Sequence, residues 1–113
     1  MIKNKTTKKT IITKTKIADT FLKRAIGLMF SFKKNFNYGL IFDLKRETVA
    51  GAGIHMFFVF YSINVLFLDK NKKIIDYKTL KPFTTYQPTK KIRYVIELPI
   101  KHKNYKLNDY LEW

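Results

Sequence analysis

Four polar residues are embedded in otherwise apolar stretches of this 113-residue chain, and they are the side chains best suited to bind a ligand: Arg24, His55, Asn64 and Glu97. A buried polar group without a hydrogen-bond partner costs about 1–3 kcal/mol, so such groups are expected to be paired. One interpretation is a structural network in which Arg24 pairs with Glu97 at the edge of the core. The other is a cleft in which the four groups orient a small ligand or a peptide against an apolar wall.

The remaining reactive residue types do not form a catalytic or metal-binding pattern. Cysteine is absent, which excludes disulfides, thiolate nucleophiles and Cys-based zinc sites. A zinc site needs three or four ligands, and the two histidines, His55 and His102, lie far apart in the sequence. Ser31 and Ser62 lack a G-x-S-x-G context, and there is no phosphate-binding G-x-x-x-x-G-K-[ST] loop. We therefore expect no catalytic residues, no metal and no cofactor, and an enzyme is the least favoured function.

The charge of the chain suggests a second class of function. There are 23 Lys and Arg residues against 8 Asp and Glu, a net charge of +15. Such a protein attracts polyanions such as RNA and DNA. The candidate nucleic-acid contacts are Lys14, Lys16, Lys90, Lys91 and Arg93. Arginine, which sequence-specific readers favour, occurs only three times, so the lysine content is equally explained by a bias toward A- and T-rich codons.

The densest apolar stretch, residues 53–69, must position several of these groups. It contains two apolar runs, Met56–Tyr61 and Val65–Leu68, separated by the polar break Ser62–Asn64. Each run is rich in aromatic or β-branched residues, which predicts two buried strands joined by a turn, while a buried amphipathic helix is the competing interpretation. The stretch is too short and too polar for a transmembrane helix, which needs about 20 apolar residues.

Periodicity and turn residues predict the other elements. Asp19 or Thr20 and Gly27 are placed to cap a short helix. Further strands are predicted over residues 10–17 (a Lys-rich edge strand), 38–44, 73–77, 92–98 and 110–113. The strands over 65–69 and 73–77 are expected to form a hairpin. A turn is predicted at 45–48, and loops are predicted at 31–38 and 80–91.

Together these elements predict a mainly β fold. We expect a single-domain antiparallel or mixed β-sandwich or barrel-like structure with one or two short helices over residues 9–113, preceded by a flexible basic tail at residues 1–8. The N-terminus is basic but has no apolar segment of the signal-peptide type, so we expect a cytoplasmic protein.

The order of the apolar elements resembles that of the domain-of-unknown-function 192 family. The matching segments are Arg24–Met29 (R-x-x-G-L-M), Ile54–Phe60, Ile63–Asp69, Tyr94–Pro99 and Leu107–Trp113. Ser62, Asn64 and Asn108 depart from the Pro, Asp and Gly usual in the family. The resemblance implies a small mainly β sandwich or barrel-like fold. It implies no activity, because the family is named for lacking one, and Asn64 argues against a charge-dependent role at that position.

The sequence thus favours a non-enzymatic module that binds a small ligand or a protein partner of unknown identity. Five aromatic residues that we expect to be exposed in the two predicted loops support it: Phe32, Phe36, Tyr38, Phe83 and Tyr86. Polyanion binding through the lysine-rich surface is the alternative.

Overall fold

In the computed structural model, described over residues 1–18 and 28–113, ten strands form two stacked sheets and a small ribbon. The strands are β1 (Ile2–Asn4), β2 (Lys9–Ile12), β3 (Thr15–Ala18), β4 (Gly39–Thr48), β5 (Ile54–His55), β6 (Ile63–Leu68), β7 (Ile74–Leu80), β8 (Thr85–Tyr86), β9 (Ile92–Pro99) and β10 (Leu111–Glu112). Two single 3-10 turns, Lys33–Asn35 and Ala50–Ala52, are the helical elements of the described residues. The predicted mainly β fold with mixed pairing is confirmed, whereas the predicted helix at Asp19–Gly27 lies outside the described residues.

The central sheet has five strands in the order β3-β4-β9-β6-β7. Strands β4, β9, β6 and β7 pair antiparallel, and the edge strand β3 pairs parallel with β4. Strands β6 and β9 carry apolar residues on both faces and are buried along nearly their whole length, as expected for strands covered on both sides. The hairpin of β6 and β7 and the strand over residues 92–98 are confirmed.

A three-stranded sheet, β10-β1-β2, covers one face of the central sheet and makes the sandwich. Its residues Ile2, Ile12 and Leu111 join a core cluster with residues of the central sheet such as Leu66 and Ile96. We call this the sandwich face. The two sheets approach closely at Gly39, where an added Cβ would lie 2.7 Å from Ile2 Cδ1.

The opposite face of the central sheet is covered mainly by irregular segments, and we call it the pocket face. Its core cluster joins strand residues such as Phe42 and Val65 to Leu28, Met56 and Val59 from the covering turns. The ribbon of β5 and β8 belongs to this cover. No helix within residues 1–18 and 28–113 is long and apolar enough to cross a membrane.

Four local predictions are wrong. Residues 1–8 are not a tail, because β1 lies between β10 and β2 with Ile2 fully buried. Residues 10–17 form two strands in different sheets. Residues 56–61 form turns instead of a strand, with Phe57, Phe58 and Phe60 exposed. The predicted turn at 45–48 is the end of β4, because the pairing with β9 resumes at Thr48.

Candidate functional site

A pocket of about 460 Å³ opens on the pocket face. Its floor is the central sheet, and its walls are the turns around Leu28 and Met56. The lining side chains are mostly apolar and include Phe42, Leu44, Met56, Val59, Ile63 and Val95, with polar groups from Arg46, Thr48, His55 and Glu97. This size and mixture are typical of a small-molecule site, in which an apolar wall carries a few placed polar groups.

Glu97 is the buried polar group of this pocket. Its neighbours on the flanking strands are Leu40 and Val65, so the carboxyl lies between two apolar side chains and is only 6% exposed. Its Oε1 has no hydrogen-bond partner; among the described residues, the only other buried side-chain oxygen or nitrogen without one is the Thr15 hydroxyl. Burial raises the pKa of Glu97 to about 8, because water no longer solvates the charged form. The carboxyl is therefore mostly protonated at neutral pH.

Two tyrosines lie near this carboxyl. Burial, followed by the charge of Glu97, raises the pKa of Tyr38. Burial is also the main cause that raises the pKa of Tyr61, against the opposing effect of its 2.6 Å hydrogen bond to the Ser31 hydroxyl. Ser31 in turn donates to the backbone oxygen of Leu28 at 2.6 Å. The two tyrosines are not among the described residues that line the pocket, whereas Glu97 is its buried polar group.

Arg46 and His55 lie at exposed parts of the pocket wall. The Nδ1 atom of His55 accepts a 3.3 Å hydrogen bond from the backbone N–H of Phe57, and its ring stacks on the ring of Phe57 at 5.5 Å. Arg46 is not among the sequence candidates, because the sequence predicts a solvated turn at residues 45–48. Only its position on β4, at the same face as Phe42 and Leu44, reveals it as a pocket residue.

The four polar candidates therefore do not form one cluster. His55 and Glu97 line the pocket. Asn64 lies on the sandwich face, because its neighbours Ile63 and Val65 point to the pocket face. Both ends of its amide have a partner: Nδ2 donates to the backbone oxygen of Ile100 at 3.1 Å, and Oδ1 accepts from the Thr79 hydroxyl at 2.7 Å. Arg24 lies outside the described residues.

The five basic candidates are divided between two ends of the central sheet. Lys14 and Lys16 lie where β3 runs beside the start of β4, whereas Lys90 and Lys91 precede β9 at the other end of β4. The guanidinium of Arg93 is bound to the carboxylate of Asp43 at 2.8 Å. Polyanion binding through these residues stays a prediction, and the fold does not gather them on one patch.

Beside the pocket, four phenylalanines form a connected cluster that we call the aromatic tip: Phe30, Phe58, Phe60 and Phe83. Their rings are 45–64% exposed. Phe30 stacks on Phe58 with centroids 4.9 Å apart, and Phe83 meets Phe58 and Phe60 edge to face at 5.9 and 5.6 Å. Of the aromatics expected to be exposed, Phe32 and Phe83 are, while Phe36 is buried and Tyr38 and Tyr86 are half-buried.

The backbone of the aromatic tip is held in an unfavourable conformation. Phe30, Phe58 and Phe83 have φ angles of 61°, 58° and 60°. This left-handed region is rare for bulky residues and costs about 1–2 kcal/mol each. Backbone hydrogen bonds fix the three turns: the Phe30 N–H donates to the Phe58 oxygen and the Phe83 N–H to the Met56 oxygen, both at 2.8 Å.

Comparison with known proteins agrees with the fold. The profile of the domain-of-unknown-function 192 family, described as uncharacterized ACR, matches residues 2–105. A UPF0127 protein of Thermococcus sibiricus is 42% identical over 116 residues, which cover all of this chain and 74% of the relative. A UPF0127 protein of Pyrococcus furiosus is 38% identical and covers 97% of this chain and 95% of its own.

Solved structures show the same fold at low identity. A protein of unknown function from Novosphingobium aromaticivorans superposes with a TM-score of 0.76 at 20% identity, over 88% of this chain and 74% of that one. A structure from Sinorhizobium meliloti gives 0.77 at 20% identity, over 87% and 79%. At this identity the likeness concerns the fold alone.

Proposed function

The chain belongs to the domain-of-unknown-function 192 family of uncharacterised proteins, and from this starting point we propose that it is a binding module whose pocket takes a small, neutral, amphipathic molecule. Segments that carry the family resemblance line this pocket: Leu28 and Met29 end the first, His55 lies in the second, Ile63 begins the third, and Glu97 lies in the fourth. A mostly apolar pocket that carries a few polar groups, one of them the buried Glu97, fits the binding of a small molecule.

The observation that carries the proposal is the unpartnered Oε1 of Glu97 inside a pocket of about 460 Å³. A buried acceptor without a partner lowers the stability of the empty protein by about 1–3 kcal/mol. A ligand that supplies the missing hydrogen bond recovers that free energy on binding. The free energy that the empty protein loses therefore adds to its affinity for ligands that make this hydrogen bond and favours them over ligands that do not.

The protonation state of Glu97 selects the chemistry of that ligand. With a pKa of about 8, the carboxyl at neutral pH offers one donor and one acceptor side by side. A group with a complementary adjacent pair, such as an amide or lactam, forms two hydrogen bonds with it. A cation is less suitable because the chain carries a net charge of +15, and a carboxylate would place a negative charge in the apolar pocket beside Glu97.

The rest of the pocket fits an elongated apolar body. Met56, Val59 and Val95 supply the wall beside Glu97. Thr48, which pairs with Ile92, marks the other end, five residues along β9 from Glu97. At about 3.3 Å per residue this is roughly 16 Å, enough for a chain of several carbons.

Three matched six-carbon probes test this chemistry: hexanamide, hexanoate and hexylamine. Binding is followed at pH 6.5 by NMR through the methyl signal of Met56 and the carboxyl signal of Glu97. We expect hexanamide to bind at least about tenfold more tightly than either charged probe, because it alone completes two hydrogen bonds with a neutral carboxyl. Preferred binding of hexylamine or hexanoate, or absence of any shift at Met56, contradicts the proposal.

Two variants at one position separate the role of the carboxyl from that of the wall. Glu97→Met keeps the volume and removes both hydrogen bonds, so hexanamide should lose its advantage. Glu97→Gln keeps a donor and an acceptor, so the advantage should largely remain. Glu112→Met, which removes an exposed carboxyl on β10, is the matched control and should bind as the unmodified protein does. Equal binding by Glu97→Met and the control would show that Glu97 is not the anchor.

A further inference from the structure

We infer that the aromatic tip is a docking surface for an anionic lipid bilayer, into whose interface its four phenylalanine rings insert. The inference is independent of the pocket ligand. It concerns the outward side of the turns whose inward side chains, Met29, Met56 and Val59, line the pocket.

The aromatic tip is an exposed and connected apolar cluster. Phe30 and Phe60 are 64% and 60% exposed, and Phe58 and Phe83 are about half exposed. Each ring contacts another ring of the cluster, so the exposed surface is continuous. A contiguous exposed apolar patch of this kind marks an interaction site, whereas scattered single side chains do not.

The turns of the aromatic tip are fixed with the rings outward. Three of the four phenylalanines occupy the left-handed backbone region, which a bulky side chain avoids unless the surrounding structure imposes it. Backbone hydrogen bonds tie Phe30 to Phe58, and both Phe83 and Thr84 to Met56. The rings are thus presented on three mutually braced turns and lose little freedom when they insert.

The charged side chains around the aromatic tip are positive. The segments that cover the pocket face, 28–38, 53–62 and 81–91, contain no Asp or Glu and carry the lysines Lys33, Lys34, Lys81, Lys90 and Lys91. Lys81 lies two residues before Phe83, and Lys33 and Lys34 follow Phe30 closely. Aromatic side chains flanked by lysines suit a bilayer interface, where rings enter the acyl boundary and ammonium groups meet anionic headgroups.

The ring geometry favours a bilayer over single-stranded nucleic acid. Base stacking needs open ring faces, but Phe30 and Phe58 stack on each other, and Phe83 engages the edges or faces of two neighbours. The hydroxyls of Ser31 and Thr84 in these turns already donate to backbone oxygens nearby, those of Leu28 and Lys81, both at 2.6 Å. Such a surface has little means of reading bases or peptide groups, and a bilayer requires neither.

Sedimentation with lipid vesicles tests the inference. We use phosphatidylcholine vesicles alone, the same vesicles with about one third phosphatidylserine, and poly(U) as the nucleic-acid probe. The expected result is binding to the anionic vesicles, weaker binding at high salt, and little binding to neutral vesicles. Absence of binding to anionic vesicles overturns the inference.

The test variant is Phe60→Ser combined with Phe83→Asn. Both side chains are at least half exposed, and Asn tolerates the positive φ of position 83, so the fold should persist, as circular dichroism will verify. Removing two inserted rings should weaken vesicle binding about 30-fold. The matched control is Leu107→Ser, which removes a 47% exposed apolar side chain from the C-terminal segment and should leave binding unchanged.

The outcomes separate insertion from simple attraction by charge. Equal vesicle binding by the double variant and the unmodified protein would mean that lysines alone act, which overturns the inference. Binding of poly(U) that falls in the double variant but not in Leu107→Ser would assign the aromatic tip to nucleic acid and likewise overturn it.

Discussion

The two faces of the central sheet bury polar side chains in opposite ways. On the sandwich face, Asn64 and Asn4 have partners for their amide groups, and Asp109 accepts hydrogen bonds from Asn4 and from the backbone of Lys106. On the pocket face, Glu97 is buried with an unpartnered oxygen. The same type of sequence feature, a polar residue within an apolar strand, thus has a structural role on one face and a candidate binding role on the other.

The elements that cover the two faces also differ. The sandwich face is covered by regular strands that meet the central sheet closely at Gly39. The pocket face is covered by turns that leave a cavity and hold three phenylalanines in a disfavoured conformation. Unsatisfied hydrogen bonds and backbone strain persist when the surrounding structure enforces them, and they concentrate at functional sites. We therefore expect substitutions on the sandwich face to affect mainly stability, and those on the pocket face mainly binding.

Among the predicted changes, Asn4→Ala should lower the free energy of unfolding most, because Asn4 has a structural role on the sandwich face. Its side chain is fully buried and makes four hydrogen bonds, to Asn104, Asp109 and the backbone N–H groups of Thr6 and Thr7. The change removes all four of these hydrogen bonds and leaves the buried Asp109 side chain with the backbone N–H of Lys106 as its remaining donor, so the free energy of unfolding should fall by about 3 kcal/mol. Urea denaturation measures it, and a loss below about 1 kcal/mol would contradict the structural assignment.

A pair of glycine substitutions compares the packing of the two faces. A Cβ at Gly39 would lie 2.7 Å from Ile2 Cδ1 and 3.0 Å from Ile12 Cγ2, both in the closely packed sandwich, so Gly39→Ala should cost about 2 kcal/mol. A Cβ at Gly51 would lie 2.9 Å from Cγ2 of a single side chain, the half-buried Thr48 beside the open pocket, so Gly51→Ala should cost less, about 1 kcal/mol. Thermal unfolding of the two variants checks the order, and equal losses would contradict it.

The stability of the protein should depend on pH through the pocket face. In the folded chain the pKa of Glu97 is about 8, against 4.5 in the ordinary carboxyl, so between these values the folded state binds more protons than the unfolded state. The free energy of unfolding should therefore fall as pH rises through this window, by at most about 1.4 kcal/mol per pH unit, and level off above pH 8.

The control for this pH dependence is Glu97→Gln, which removes the titrating group. In this variant the fall in the free energy of unfolding between pH 4.5 and pH 8 should be much smaller. Other carboxyls have different environments: the Arg93 guanidinium lowers the pKa of Asp43, which contributes only at acidic pH and with the opposite sign. An unchanged slope in Glu97→Gln would show that its carboxyl is not the buried acid.

The sequence predicts β9 and the hairpin of β6 and β7 because their β-branched residues and turn residues give an unambiguous local signal. It fails at Met56–Tyr61, where aromatic residues have the composition of a buried strand but form turns that expose Phe57, Phe58 and Phe60. Hydrophobic content identifies the importance of such a stretch. It does not distinguish a buried strand from an exposed apolar surface.

The candidate site is predicted in part for a similar reason. The sequence identifies His55 and Glu97 as embedded polar residues, and both line the pocket. It groups Asn64 with them because the register between β6 and β9 is not encoded locally. Val65 pairs with Glu97, so Asn64 faces the other side of the sheet. The sequence does not identify Arg46 as a site residue, because β4 extends past residue 44 only through its long-range pairing with β9 at Thr48.

The central claim is that Glu97 is a buried, unpartnered acid in an open pocket, and titration of its carboxyl carbon signal by NMR tests this most directly. The account predicts a midpoint near pH 8 in the free protein. It also predicts a higher midpoint with hexanamide, because the ligand favours the protonated carboxyl and linkage requires binding to raise the pKa in return. A midpoint at or below 4.5 would mean that a cation or other donors already hold the carboxylate, and would contradict the account.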